Sequence, residues 1–341
     1  MKDTSRLLRG LWIPFILLPP LFAREFPHGR RDMAIRDTER LILRTTAEEV
    51  SFMSGGEVLS GILMLPNTPG PHPAIVMLHG SGPTSIREWL TDAFPFWRDL
   101  AQFFLGRNYA VLAFDKAGVG RSTGNWRTRS FEDRADEAMA AVEYLRSRAD
   151  IDGSRIGLIG HSQGGYIAQL VAARAPNRVA FVITLAGPAV SVKEQILDDL
   201  EARWRCSGNS PVLVAFKRSV MQVLLTLYQG ISRIIHIGYV SRIIHYDPDC
   251  DLARISQPLL ALFAQNDPLV YADKNARLLE TYLSRSKSPV WVIRKVPGAN
   301  HFFQTSEFCG GRSEKSWQWA AGFWEALQSE EFWRAVRGPT S

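Results

Sequence analysis

The chain has 341 residues, 46% of them hydrophobic and 22% charged, an ordinary globular composition with length for one large core or two modest domains. Lys and Arg number 40 against 34 Asp and Glu, a net +6 that is spread along the chain. The densest cluster, Arg24, Arg30, Arg31, Arg36, Arg40 and Arg44, has no interleaved aromatic stripe, so nucleic acid is not an expected partner.

Residues 1–23 run from a net positive start, "MKDTSRLLRG", through "LWIPFILLPPLFA", which ends on a small residue. That is the layout of a secretory signal peptide, and the apolar run is short for a bilayer span, which needs about 20 residues. Its alternative is an apolar arm that stays attached and packs on the domain or a membrane surface. Export to the periplasm or medium follows from the first reading, a cytoplasmic protein from the second. No other membrane-spanning candidate is read. Residues 24–47 read as a linker.

"EVSFMSGGEVLSGILMLP" from residue 49 gives a hairpin broken at "SGG". "AIVMLHG" (74–80) is an apolar run suited to a strand buried on both faces. A helix is expected over 96–107, a strand over 109–115 and a helix over 131–148, whose apolar positions keep helical spacing. A strand (155–160), a helix (163–174) and a strand (179–186) follow. Residues 190–257 are far longer than a normal connection, helical in character and partly apolar, and read as an inserted cap. The pentapeptide "SRIIH" occurs there twice, at 232–236 and 241–245, too short a unit for a solenoid. A strand (258–264), a helix (272–284), a strand (290–296) and a closing helix (316–336) complete the chain. Regular strand–helix alternation predicts parallel βαβ units, with ligands at the carboxyl edge of the strands. The expected organisation is a core of 48–189 and 258–341 around a cap of 190–257.

"GHSQG" puts Ser162 between Gly160 and Gly164, after a strand and before a helix, the context of a nucleophile elbow. A serine hydroxyl needs a base. Of seven histidines, His301 in "VPGANHFFQ" follows the last strand at the edge that carries Ser162. His28, His72, His79, His236 and His245 fit less well, and His161 should point away from the site. Asp267 in "QNDPLV" follows the preceding strand and would orient the base, with a plain turn residue as its bland alternative and Asp273 as its nearest competitor; Asp247, Asp249 and Asp251 precede the strand. The backbone N–H groups of Gln163 and of Ser81, in "LHGSGP", are the candidate oxyanion donors. "FDKAGVGRSTG" (114–124) lacks phosphate-loop spacing and reads as a loop supporting the site, with Asp115 structural. Cys206, Cys250 and Cys309, odd in number and without metal-like spacing, argue against a disulfide framework and a zinc site, although one bridge fits the count.

Together "HGSGP", "FDKAGVGRSTG", "GHSQGG", "AQNDPLV" and "PGANHFFQ" resemble the α/β-hydrolase superfamily, in its bacterial esterase and serine-aminopeptidase-like branch. The resemblance runs from about residue 48 onward. It implies an α/β fold, with a mostly parallel sheet flanked by helices. It also implies Ser162 as nucleophile, Asp267 as acid, His301 as base, and Ser81 and Gln163 as oxyanion donors. Ala117 departs from it, standing where many relatives have arginine. The function expected is hydrolysis of a small carboxylic ester with an apolar group, without cofactor or metal. Peptidase, thioesterase or acyltransferase chemistry on the same triad is the alternative, and a ligand-binding protein on this fold is the non-enzymatic one.

Overall fold

A computed structural model describes residues 46–338 apart from 91–93, 237 and 311–316. The expectations for residues 1–45 therefore fall outside the described residues. Eight strands form one sheet: β1 Thr46–Ser54, β2 Glu57–Leu65, β3 His72–Leu78, β4 Ala110–Phe114, β5 Ile151–His161, β6 Phe181–Leu185, β7 Leu259–Ala264 and β8 Trp291–Val296. Their order is β1-β2-β4-β3-β5-β6-β7-β8. The β1–β2 hairpin and the β2–β4 pair are antiparallel, and every later pair is parallel. β1 begins at Thr46, inside the stretch expected to be linker, and β5 begins four residues earlier than the apolar run implies.

Strands β3, β4, β6 and β7 are buried at every residue, which is why they read as unbroken apolar runs. Period-two alternation divides them between two cores. Val76, Leu112 and Leu158 face one side with Ala138 and Val142 of α3 (Phe131–Arg146; the earlier helices are α1 Ile86–Trp89 and α2 Phe96–Leu105) and Ile167 of α4 (Gln163–Arg174). Ile75, Val111 and Ile159 face the other, with Trp97 and Leu100 of α2. A capping box starts α3: Ser130 Oγ accepts from Asp133 N–H while the Asp133 carboxylate accepts from Ser130 N–H.

Residues 190–257 hold four helices, α5 Val192–Cys206, α6 Pro211–Ser232, α7 Val240–Ile243 and α8 Asp249–Leu252. Lys274, in α9 (Ala272–Leu283), ties α5 to the body through Asp198 at 2.8 Å, and Arg218 joins α6 to Glu201 of α5 at 2.8 Å. α6 is long and apolar enough to cross a membrane by length and composition, a property not read from the sequence. Its Val214 and Leu225 are buried against the protein. The two SRIIH copies meet side by side, Ser232 Oγ lying 2.9 Å from His245 Nε2.

One expectation is corrected. The closing segment is not one helix but two short ones, α10 Phe323–Leu327 and α11 Glu330–Arg337, preceded by a left-handed Gly322. Trp319 is instead held in extended chain: it bridges Gln304, stacks on Phe323 at 4.4 Å and donates from Nε1 to Asp99 Oδ2 at 2.8 Å. The aromatic residues of the segment expected to be one helix serve this cluster. A disulfide is also present, Cys206–Cys309, because the end of α5 comes beside the loop that follows β8. Cys250 is free and exposed.

Candidate active site

Ser162 stands between the end of β5 and the start of α4 with φ 55° and ψ −122°, a strained conformation for a residue with a side chain. The turn leaves no room for side chains around it. A Cβ on Gly160 would lie 2.1 Å from the Gly164 carbonyl oxygen, and one on Gly164 would lie 1.9 Å from the Leu78 carbonyl oxygen. Strand β3 ends beside this turn, and β4 and β5 flank it on opposite sides. The elbow therefore sits where the strand order reverses, the place where open α/β sheets bind ligands.

His301 and Asp267 come to the same edge from the ends of β8 and β7. His301 Nδ1 lies 2.7 Å from Asp267 Oδ2, and both side chains are buried. The other carboxylate oxygen, Oδ1, accepts the N–H groups of Leu269 at 2.7 Å and Val270 at 3.0 Å. With three donors around it, the acid has one orientation and fixes the imidazole tautomer with the proton on Nδ1. Asn300 shapes the turn that carries the histidine, its Oδ1 accepting from Phe302 and Gln304 N–H.

His161, expected to point away from the site, packs against the loop that carries His301. Its Nε2 lies 2.8 Å from the His301 carbonyl oxygen, and since a carbonyl only accepts, that nitrogen carries the proton. The rings of the two histidines lie 4.7 Å apart. Burial, and then proximity to His301, hold the His161 pKa well below the ordinary histidine range, so it stays neutral. The residue next to Ser162 thus brackets the loop that presents His301.

Among the described residues no partner takes the N–H of Ser81 or of Gln163. Lys116 reaches from the "FDKAGVG" loop to the Gly80 carbonyl oxygen at 2.9 Å. In a trans peptide the C=O and the following N–H point in opposite directions, so this bond sets where the Ser81 N–H points. Lys116 is 1% exposed, and burial, reinforced by nearby Arg134, pushes its pKa down. The Gln163 side chain is held as well: its Oε1 accepts from Tyr239 Oη at 3.1 Å and Arg134 Nη1 at 3.4 Å. Asp115 accepts from Ile86 N–H and Ser85 Oγ, in keeping with a structural role.

The remaining candidates are elsewhere. His72 opens β3 at the opposite edge, and His79 is buried beside Lys116 and Arg134. His245 bonds Ser232, and His236 is exposed. Asp273 pairs with Lys295 at 2.6 Å on the surface, and Asp249 and Asp251 lie in α8. Among the described residues no group of three or more His, Cys, Asp or Glu is placed to hold a metal ion. Lys116, His161, Asn300 and Tyr239 were not assigned roles from sequence. Only Asn300, a turn former before the histidine, carried a local signal.

An eight-stranded, mostly parallel sheet with a glycine-flanked serine elbow at the end of its fifth strand defines the class: the chain has the α/β-hydrolase fold. Within it, residues 71–233 match the family described as serine aminopeptidase, S33. The esterase EstD of Thermotoga maritima is 29% identical over 143 residues, 42% of this chain and 34% of that protein. The bifunctional esterase/perhydrolase DCH of Acinetobacter calcoaceticus is 30% identical over 144 residues, 39% of this chain and 47% of that one. The chain thus spans less than half the length of these curated relatives. The Pyrococcus furiosus esterase Pf2001 superposes with a TM-score of 0.54 over 82% of this chain and 88% of its own, at 16% identity, a likeness of fold.

Proposed function

We propose that the protein is a serine hydrolase that cleaves carboxylic esters through an acyl-enzyme. The observation that carries this is the buried Asp267–His301 pair at 2.7 Å, held at the edge where the strained Ser162 stands. Ser162 Oγ attacks the acyl carbon as His301 Nε2 takes its proton. The carbonyl oxygen becomes an oxyanion that accepts from the N–H groups of Ser81 and Gln163. Collapse breaks the C–O bond, and the proton on His301 goes to the departing alcohol. Water, deprotonated by His301, then releases the acid and regenerates Ser162. Residues 190–257 act as a cap over this edge, and their apolar character suits an ester with an apolar group.

The match to the serine aminopeptidase family favours a second reading, amide cleavage by the same triad. A panel of aryl esters of graded chain length, aminoacyl arylamides and acyl thioesters, run on wild type and Ser162→Ala, separates the two. Ester turnover that falls by about 10⁴-fold or more in Ser162→Ala is expected. Turnover of the arylamides alone would replace the esterase reading. Absence of Ser162 labelling by a fluorophosphonate in folded protein would leave a binding protein instead.

A further inference from the structure

Helix α6 carries an apolar stripe that the protein does not cover. Val212, Phe216, Val223, Leu227 and Ile231 are 81%, 65%, 60%, 60% and 52% exposed, and Ile234 just beyond is 84% exposed. Their steps of three, four and seven residues place them on one helical face, along a rod of about 33 Å. Soluble surfaces rarely expose apolar patches of this kind without a partner. The SRIIH repeat sharpens the contrast: Ile243 and Ile244 of the second copy are 5% and 0% exposed, whereas Ile234 and Ile235 of the first are 84% and 56%.

The opposite face is fastened lengthwise. Val214 and Leu225 are buried, and Arg218 reaches Glu194 and Glu201 of α5. A helix held in this way lies along a surface and does not thread through a bilayer. Within residues 202–246 the charge has one sign. No Asp or Glu occurs between Glu201 and Asp247, while Lys217, Arg233 and Arg242 all lie in that interval, the last two exposed. A second copy docked face to face would set these cations against one another. Residues 1–45 are net positive too, and so a poor electrostatic match. Anionic headgroups over an apolar interior complement both the stripe and its basic rim.

We propose that the outward face of α6, continued by Ile234 and Ile235, docks on an anionic lipid surface. This stands independently of the catalytic reading. The test is co-sedimentation of the full chain with vesicles of phosphatidylcholine alone and of phosphatidylcholine mixed with phosphatidylglycerol. Binding to the mixed vesicles is expected, weakening several-fold between about 0.1 and 0.5 M salt. The double variant Val223→Asp, Leu227→Asp should lower it by about tenfold or more, with the thermal midpoint retained because both side chains already face water. Arg233→Glu, Arg242→Glu should weaken binding while leaving the apolar stripe intact. No binding to the mixed vesicles overturns the proposal. So does equal binding by wild type and the Asp double variant, which would assign the membrane contact to residues 1–45. A drop from dimer to monomer in ultracentrifugation for the Asp variant, without any effect on vesicles, would assign the stripe to self-association and overturn it as well.

Discussion

Lys116 holds its Nζ sealed from water with a backbone carbonyl as its hydrogen-bond partner. Removing it leaves the Gly80 carbonyl without that donor and frees the Gly80–Ser81 peptide to rotate, taking the Ser81 N–H out of line. Lys116→Met should therefore lower kcat for esters by about 10- to 100-fold and leave KM within about twofold, because the donor matters most when the oxyanion has formed. Steady-state kinetics with circular dichroism as the folding control checks this; a change confined to KM would show that the lysine shapes the binding site instead. Ser162 could be found in the sequence because its constraint is local, two glycines within two residues. Lys116 and His161 could not, because their partners are the main-chain carbonyls of Gly80 and His301, 36 and 140 residues away. A backbone oxygen leaves no trace in the identity of its own residue.

Short helix α1 shows the same division between local and distant causes. Its first N–H, on Ile86, donates to Asp115 Oδ1 at 2.6 Å, and Ser85 Oγ lies 3.0 Å from Oδ2. Burial outweighs these donors and pushes the Asp115 carboxyl up to about 6. The folded protein then binds this proton more tightly than the unfolded chain, whose carboxyl titrates near 3.8. The associated stability is present below the unfolded value and is lost as pH rises through about 6. Asp115→Asn cannot ionise and keeps an acceptor for Ile86. Its unfolding free energy should fall less between pH 4 and pH 7 than that of wild type, by about 2 kcal/mol. Urea titrations at the two pH values measure this, and parallel profiles would refute it. The buried parallel strands and α4 were legible as elements because apolar runs and the elbow glycines marked them. The split at Gly322 was not, since the aromatic spacing across it also suits a continuous helix. Only the packing of Trp319 on Phe323 and its bond to Asp99 decide between the two.

At the scale of the molecule, the Cys206–Cys309 bond closes a ring between residues 103 apart in sequence. Asp267 and His301 lie inside that ring, and Ser162 lies outside it. Under denaturing, non-reducing conditions one thiol per chain should react, Cys250, rising to three after reduction. Two thiols lost or gained in that assay would redraw the connectivity. The ring also governs what a protease can do. Exposed α6 and the stretch after it offer cleavage sites, yet a cut anywhere between 207 and 308 severs the backbone without parting the pieces. Nicked protein should migrate as a single band until a thiol is added, and then as two. A fragment bearing Ser162 and a fragment bearing Asp267 and His301 would remain one molecule, able to hold their register after the peptide chain between them has been broken.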